Sequence, residues 1–252
     1  MLAIIGGTGL SSLDGFEPAT EKVVATPFDD DEVRVQFFNY REQEFVFLPR
    51  HGAGHAVPPH KVNYRANIWA LSEVGVKSIV AVNAVGGIVD SLGPGSFAVP
   101  DQLIDYSHSR KETFFESGLT QVTHIDFSHP YTNKLRACIL RALTTVNENS
   151  PTKHEVLDGG VYACTQGPRL ETAAEIRRLK RDGCDMVGMT GMPEAALARE
   201  MNIEYASLAL SVNWAAGITD ALISLDEIHQ ILANGMEFVA AVLKEVIQDT
   251  GR

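Results

Sequence analysis

The residues Ser78-Ile79-Val80-Ala81-Val82-Asn83 lead straight into Ala84-Val85-Gly86-Gly87, and this stretch decides the fold class. Its apolar, largely β-branched run is short and has no polar alternation, so it reads as a strand buried on both faces. The small residues after Asn83 read as a turn at the strand end. Working outward, Met1 to Ile5 is a second short buried strand, ending in the turn Gly6-Gly7-Thr8-Gly9. Val23 to Tyr40 and Glu44 to Leu48 read as strands with polar turns between them, as do Phe97 to Asp105, Gly160 to Thr165, Met186 to Met189 and Glu204 to Val212. Helical spacing predicts helices over Asn63–Val74 (Ile68, Leu71 and Val74 on one side), Lys134–Asn147, Thr172–Asp182, Pro193–Met201 and Leu225–Ile247. From Ser107 to Pro130 no clean period holds, and that region reads as long functional loops.

Strands alternating with helices predict an α/β fold of three layers, a central, mostly parallel sheet covered by helices on both faces. No repeat, linker or low-complexity run divides the chain, so a single domain over 1–252 is expected. Ligands of such folds gather at the carboxyl ends of the strands, here Thr8, Arg50, Asn83-Ala84, the Gln166 turn, Thr190 and Asn213.

The formal net charge is −11, against a nucleic-acid partner. An anion site on such a chain has to be a local exception. Cys138, Cys164 and Cys184 form no CxxC pair and no zinc spacing, so reduced thiols and a cytoplasmic location are expected. The apolar run at the N-terminus is too short for a signal peptide, and no stretch is long and apolar enough to span a membrane.

Each motif has two readings. Gly6-Gly7-Thr8-Gly9 either cradles a phosphate with its backbone N–H groups or is a tight turn after a buried strand. A dinucleotide fingerprint is disfavoured: its third glycine position is Ser12, and no strand-end acid follows. Arg50-His51 offers a guanidinium fork and an imidazole to an anion. His55 and His60 lie close by, but the loop supplies no acidic ligand, so no metal is expected and His55 reads as a solvated side chain. Glu171 is either a helix-capping acid or a site residue. Asn213, ending an apolar strand, is either a loop former or a buried amide in need of partners.

Together, the runs LPRHGAGHAVPPHKVNYRANIWAL, VAVNAVGGIV, TQGPRLET and DMVGMTGMPEAALAREMNIEYASLAL resemble the trimeric purine nucleoside phosphorylases, and within them the methylthioadenosine phosphorylase branch. The likeness extends from Ile4 to about Val242. It implies a mixed sheet, a homotrimer, and inorganic phosphate as co-substrate with no cofactor. It also implies that Thr8, Arg50, His51, Ala84 and Thr190 hold phosphate, that Met189 lies against the ribose, and that Leu170 packs on the purine where the family often has Phe. Glu171 and Asn213 would read the base, and His124 would reach a neighbouring subunit's substrate.

The chain departs from the adenine-specific branch in the base pocket. Those enzymes carry two Asp where this chain has Asn213 and Ala215, and Ser where it has Glu171; the general 6-oxopurine enzymes carry Glu and Asn, as here. A carboxylate accepts from the N1–H of hypoxanthine or guanine but meets the N1 lone pair of adenine, acceptor against acceptor. The expectation is therefore phosphorolysis of a 6-oxopurine nucleoside. At the 5′ end, Leu225 and Ile228 suit a methylthio group, whereas His229 suits a hydroxyl. The branch favours S-methyl-5′-thioinosine, with a general inosine or guanosine phosphorylase next and methylthioadenosine phosphorylase also open. A hydrolase, or a nucleoside- or dinucleotide-binding module, are the other classes.

Overall fold

The computed structural model describes residues 1–10, 15–28, 32–52, 54 and 56–251. In chain order the strands are β1 (Leu2–Gly6), β2 (Glu17–Val24), β3 (Val33–Tyr40), β4 (Gln43–Pro49), β5 (Ser78–Gly87), β6 (Phe97–Val99), β7 (Gln102–Asp105), β8 (Val156–Asp158), β9 (Val161–Cys164), β10 (Met186–Gly188) and β11 (Glu204–Trp214). The helices are α1 (Tyr64–Glu73), α2 (Asn133–Asn149), α3 (Ala173–Arg181), α4 (Gly191–Glu200) and α5 (Leu225–Thr250).

The period of two along the central strands makes the layers. Ile4, Val80, Val82, Leu208 and Leu210 point to one face and pack with Leu135 and Ile139 of α2 and Val239 and Leu243 of α5. Their neighbours Ala3, Ile5, Ile79, Ala81 and Ala209 point to the other, against Ile68 and Leu71 of α1 and Leu197 of α4. A smaller cluster seats α3, through Ile176 and Leu179, on Ile88, Ala163 and Val187. The result is the three-layer α/β arrangement that the alternation predicts.

The sheet is more mixed than the strand pattern alone suggests. β1 is parallel to β4 and β5, and β5 to β11, but β10 runs antiparallel to β5. The outer β2–β3–β4 meander is antiparallel throughout.

Four larger differences from the sequence reading stand out. β2 begins at Glu17 and not at Val23, because its residues are almost all exposed and carry no buried pattern. β5 does not turn at Ala84 but continues to Gly87, because β11 pairs along its whole length, from Glu204↔Ser78 to Trp214↔Gly87, with an irregularity between Ser211 and Asn213. A ladder partner that satisfies the backbone overrides the weak propensity of small residues. The expected single strand Phe97–Asp105 is two. Pro100 has no N–H to offer a ladder, and on either side of it β6 pairs with β11 and β8 while β7 pairs with β9. β8 was not anticipated; its residues are half-exposed or exposed and carry little pattern. Residues 107–130 contain no helix or strand, in line with the expected loops.

The starts of α1, α3 and α5 carry side-chain caps. Asn63 accepts from the Ala66 N–H at 3.0 Å to open α1. Thr172 and Glu175 form a reciprocal capping box on α3, with bonds of 3.2 and 2.7 Å. In α4, Met192 departs from helical geometry, so the regular turns begin at Pro193, a favoured first position.

Candidate active site

Residues at or just beyond the carboxyl ends of β1, β4, β5, β10 and β11 line one cleft of about 370 Å³. It gathers Thr8, Arg50, His51, Ala84 and Thr190 with Leu170, Glu171, Met189, Asn213, Leu225, Ile228 and His229. A wider depression of about 530 Å³ shares Glu171 with this cleft, is lined by Tyr106, His108 and Arg178 among others, and contains neither the glycine turn nor Arg50.

The Gly6–Gly9 turn makes room for a cation. A Cβ on Gly7 would stand 2.5 Å from the Val82 carbonyl oxygen and 2.8 Å from Arg50 Nη1, so only glycine fits beneath the guanidinium. Gly9 takes φ +85°, closing a turn in which the Leu10 N–H reaches Gly7 O at 3.0 Å. Ser12 lies outside the described residues.

Arg50 is 2% exposed. Its Nε and Nη2 donate to the two oxygens of Glu194 at 2.7 and 2.8 Å, and Nη1 donates to Val82 O at 3.1 Å. Tyr205 donates to Glu194 Oε1 at 2.8 Å. Burial works against the guanidinium charge, but the charge and hydrogen bonds of Glu194 outweigh it, and Arg50 sits above its ordinary value. The expected fork is thus turned toward Glu194. Three of the five donors are engaged, which leaves one N–H on each Nη for an anion. Glu194 stands in the first turn of α4, where the helix dipole alone would account for an acid; it is 1% exposed, and the signal in the sequence that could have found it is a charged residue on the apolar face of a helix.

His51 is 4% exposed, and its Nδ1 lies 2.8 Å from Val57 O. A carbonyl only accepts, so Nδ1 carries the proton and Nε2 is set by that bond. Thr190 closes this end. Ser207 Oγ donates to Asn83 Oδ1 at 2.7 Å, and Asn83 Nδ2 donates to Thr190 Oγ1 at 2.8 Å. With its oxygen receiving Asn83, the Thr190 hydroxyl is set as a donor, and the Tyr162 oxygen is one acceptor within its reach.

At the other end, the structure removes one of the two readings of Glu171. Thr172 and Glu175 cap α3, so Glu171 is not the capping acid; it accepts from Thr165 Oγ1 at 2.6 Å and lines the cleft. Asn213 is half-buried and donates from Nδ2 to Trp214 O at 2.6 Å, keeping Oδ1 and a second N–H. Leu170 is 41% exposed at the cleft edge, and Leu225 63%. Ile223 and Leu232, which sequence reading missed, add apolar surface beside Ile228, with His229 near them.

Two expected site residues lie outside the lining. Ala215 is 2% exposed and packs in the α3 cluster, because the chain folds back after Trp214 and the Ala215 N–H bonds Gly87 O at 2.9 Å. An Asp there would place a carboxylate among apolar side chains, so an Ala215→Asp exchange is expected to lower stability, read as a fall in Tm. His124 is exposed on the segment 107–130 and does not line this chain's own cleft.

Cys164 is fully buried, and burial pushes its thiol up to about 12. It stays protonated near neutrality, consistent with a packed thiol and not a nucleophile. Among the described residues no three His, Cys, Asp or Glu side chains converge on a point where a metal ion would sit. His60 has a buried Nδ1 without a hydrogen-bond partner, and His55 lies outside the described residues.

A family profile described as the phosphorylase superfamily matches residues 1–248. The chain belongs to that superfamily. It is 54% identical over 97% of both chains to a probable S-methyl-5′-thioinosine phosphorylase of Pseudomonas syringae. A 6-oxopurine nucleoside phosphorylase of Pyrococcus furiosus is 40% identical over 98% of this chain and 91% of its own. Among solved structures, methylthioadenosine phosphorylase from Schistosoma mansoni in complex with adenine superimposes with a TM-score of 0.91 at 30% identity, covering 99% of this chain and 91% of that one. Membership in the phosphorylase superfamily agrees with the family likeness read from the motifs, with the mixed sheet and with a cleft that joins a cation to a carboxylate–amide pair.

Proposed function

We propose that the cleft carries out phosphorolysis of a 6-oxopurine nucleoside, S-methyl-5′-thioinosine above all, yielding hypoxanthine and 5-methylthioribose 1-phosphate. The observation that carries the reading is the pair Glu171 and Asn213 facing one cleft beside Arg50, with helix capping done by other residues. The names of the Pseudomonas and Pyrococcus relatives support the same base class.

In this reading Glu171, fixed by Thr165, accepts the N1–H of the base. Asn213 donates to N7 or O6 as negative charge grows on the departing purine. Phosphate sits against Arg50, His51, Thr8, Ala84 and Thr190, where it stabilises the oxocarbenium character of the sugar and attacks C1′; much of the acceleration is proximity and charge placement. Met189 supports the ribose, and Leu170 covers the base. The reaction needs phosphate as co-substrate and no cofactor. Ile223, Leu225, Ile228 and Leu232 make the 5′ end apolar, which favours methylthio over hydroxyl. His229 at the same end is the observation favouring the second reading, an inosine or guanosine phosphorylase.

A phosphorolysis panel of methylthioinosine, methylthioadenosine, inosine, guanosine and adenosine, run with and without phosphate and in the presence of a chelator, tests this. Preference for 6-oxopurines over adenine nucleosides by at least about tenfold is expected, since a mismatched buried polar pair costs roughly 1–3 kcal/mol. Equal rates on adenosine and inosine, or turnover without phosphate, would defeat it.

The relay into Thr190 gives a sharper test. Asn83→Asp replaces a donor by an acceptor that competes for the Thr190 hydrogen and places negative charge behind the anion site. The KM for phosphate is expected to rise roughly tenfold or more, with the nucleoside KM nearly unchanged. Steady-state kinetics varying each substrate in turn would separate these; an unchanged phosphate KM removes Thr190 as a donor.

The working unit in this reading is a single domain over 1–252, assembled as a cytoplasmic homotrimer in which His124 reaches a neighbour's substrate. Among the described residues no helix is long and apolar enough to cross a membrane. Light scattering on the purified protein measures the assembly.

A further inference from the structure

Arg110 lies in the irregular segment between β7 and α2, is half-buried, and does not line the cleft. Its Nε donates to Gln166 Oε1 at 3.1 Å, and its Nη2 to the carbonyls of Thr165 and Gln166 at 3.0 and 2.9 Å. Nη1 donates to the carbonyls of Met189, at 2.9 Å, and Met192, and approaches the Tyr64 hydroxyl at 3.4 Å. The guanidinium also lies over the Tyr64 ring, 5.6 Å from its centroid. All five donors are thereby directed to protein acceptors, and among the described residues no ion pair involves Arg110. Its charge serves carbonyl groups instead of a carboxylate.

Those carbonyls belong to two turns that build opposite parts of the site. Thr165 and Gln166 follow β9, and Thr165 holds the Glu171 carboxylate. Met189 follows β10 and is joined to Thr190, where α4 begins. The last backbone bond between the two turns is Thr165 N–H to Gly188 O at 2.8 Å. Beyond it, no other protein donor among the described residues reaches the carbonyls of Thr165, Gln166 or Met189. A planar fork spans both turns at once; a lysine ammonium, a point donor on a flexible stem, does not.

We propose that Arg110 is a positioning residue for the nucleoside: it locks the turn carrying Glu171 to the turn carrying Met189 and so sets the distance between the base-reading carboxylate and the sugar support. This rests on the phosphorylase reading above. On the phosphate side Arg50 is held by Glu194 without Arg110, and Thr190, although it follows Met189, has a second hold in Asn83. Loss of Arg110 therefore falls on the nucleoside and spares phosphate.

The test uses the full chain with Arg110→Met, Arg110→Lys and Arg110→Ala, assayed in phosphorolysis with each substrate varied separately and the folded fraction read by circular dichroism at the assay temperature. For Arg110→Met, kcat/KM for the nucleoside should fall roughly a hundredfold, the scale of an ångström-level misplacement, while the phosphate KM moves by less than about threefold. Arg110→Lys should recover only a small part of that loss, and methylguanidinium added to Arg110→Ala should restore about tenfold or more. Wild-type nucleoside kinetics in Arg110→Met or Arg110→Lys overturns the proposal. So does an equal loss toward nucleoside and phosphate with no rescue by methylguanidinium, the signature of a merely structural residue. If Arg110→Met does not fold, the lysine variant and the rescue experiment decide alone. A wild-type protein inactive on every nucleoside sinks the phosphorylase reading itself, whereas an active wild type with an indifferent Arg110 sinks only this inference.

Discussion

Glu194→Ala is expected to lower stability by about 3–5 kcal/mol, the cost of leaving a buried charge without its partner. For a chain of this size that is a fall on the order of 10 °C in Tm. Both side chains of the Arg50–Glu194 pair are 1% exposed, and the pairing is bidentate. Removing the carboxylate strands a guanidinium with only Val82 O and the cleft to solvate it, and also deprives the Tyr205 hydroxyl of its acceptor. Chemical denaturation reads the loss, and phosphate KM should rise in the surviving fold because Arg50 is no longer aimed. The companion result is more diagnostic. Arg50→Met, Glu194→Leu and Tyr205→Phe together replace the network by apolar groups of similar volume, and such exchanges are often neutral in stability. That triple variant should recover most of the lost Tm and none of the phosphorolysis. A Glu194→Ala protein as stable as the wild type would mean that the pair is not buried in solution.

Asn213→Ala is expected to lower kcat/KM for 6-oxopurine nucleosides by roughly 10²–10³, the range for removing one donor that meets developing charge. The substitution leaves β11 intact, since its ladder with β5 uses backbone groups, so Tm should move little. The loss should appear in kcat more than in KM, because the departing base carries most of its charge in the transition state. Initial rates on inosine and methylthioinosine measure it. A rate within a few-fold of wild type would remove Asn213 from the base site and leave Glu171 without its companion.

Which of these residues were legible beforehand follows from the range of the forces involved. The buried runs at β1, β5 and β11 announce a covered sheet because pleating alternates side chains whatever the partner strand is. The start of α3 was visible in Thr172, although its capping partner Glu175 passed unread and left Glu171 with two possible roles. The break at Pro100 was missed even though its missing N–H and the Asp101 after it are local signals, because Phe97 and Val99 on one side and Leu103 and Ile104 on the other read as one strand. The extension of β5 to Gly87 had no local signal: it exists because β11, far along the chain, supplies the ladder. Ala215 is placed in the base pocket by its likeness to a family position, and what only the fold shows is that the turn after Trp214 packs its methyl into the α3 cluster, outside the cleft lining.

Acting on neighbours only a few residues away, pattern and caps in the sequence determined the α/β class, most helix limits, the glycine turn and the strand ends where a ligand would gather. The partners of the charges were decided by tertiary structure alone. Arg50 meets Glu194 across 144 positions, Asn83 meets Thr190 across 107, and Arg110 reaches Met189 across 79. No local property of a sequence encodes such meetings; strand order and the crossing of α4 over the sheet create them, and burial then makes each hydrogen bond obligatory.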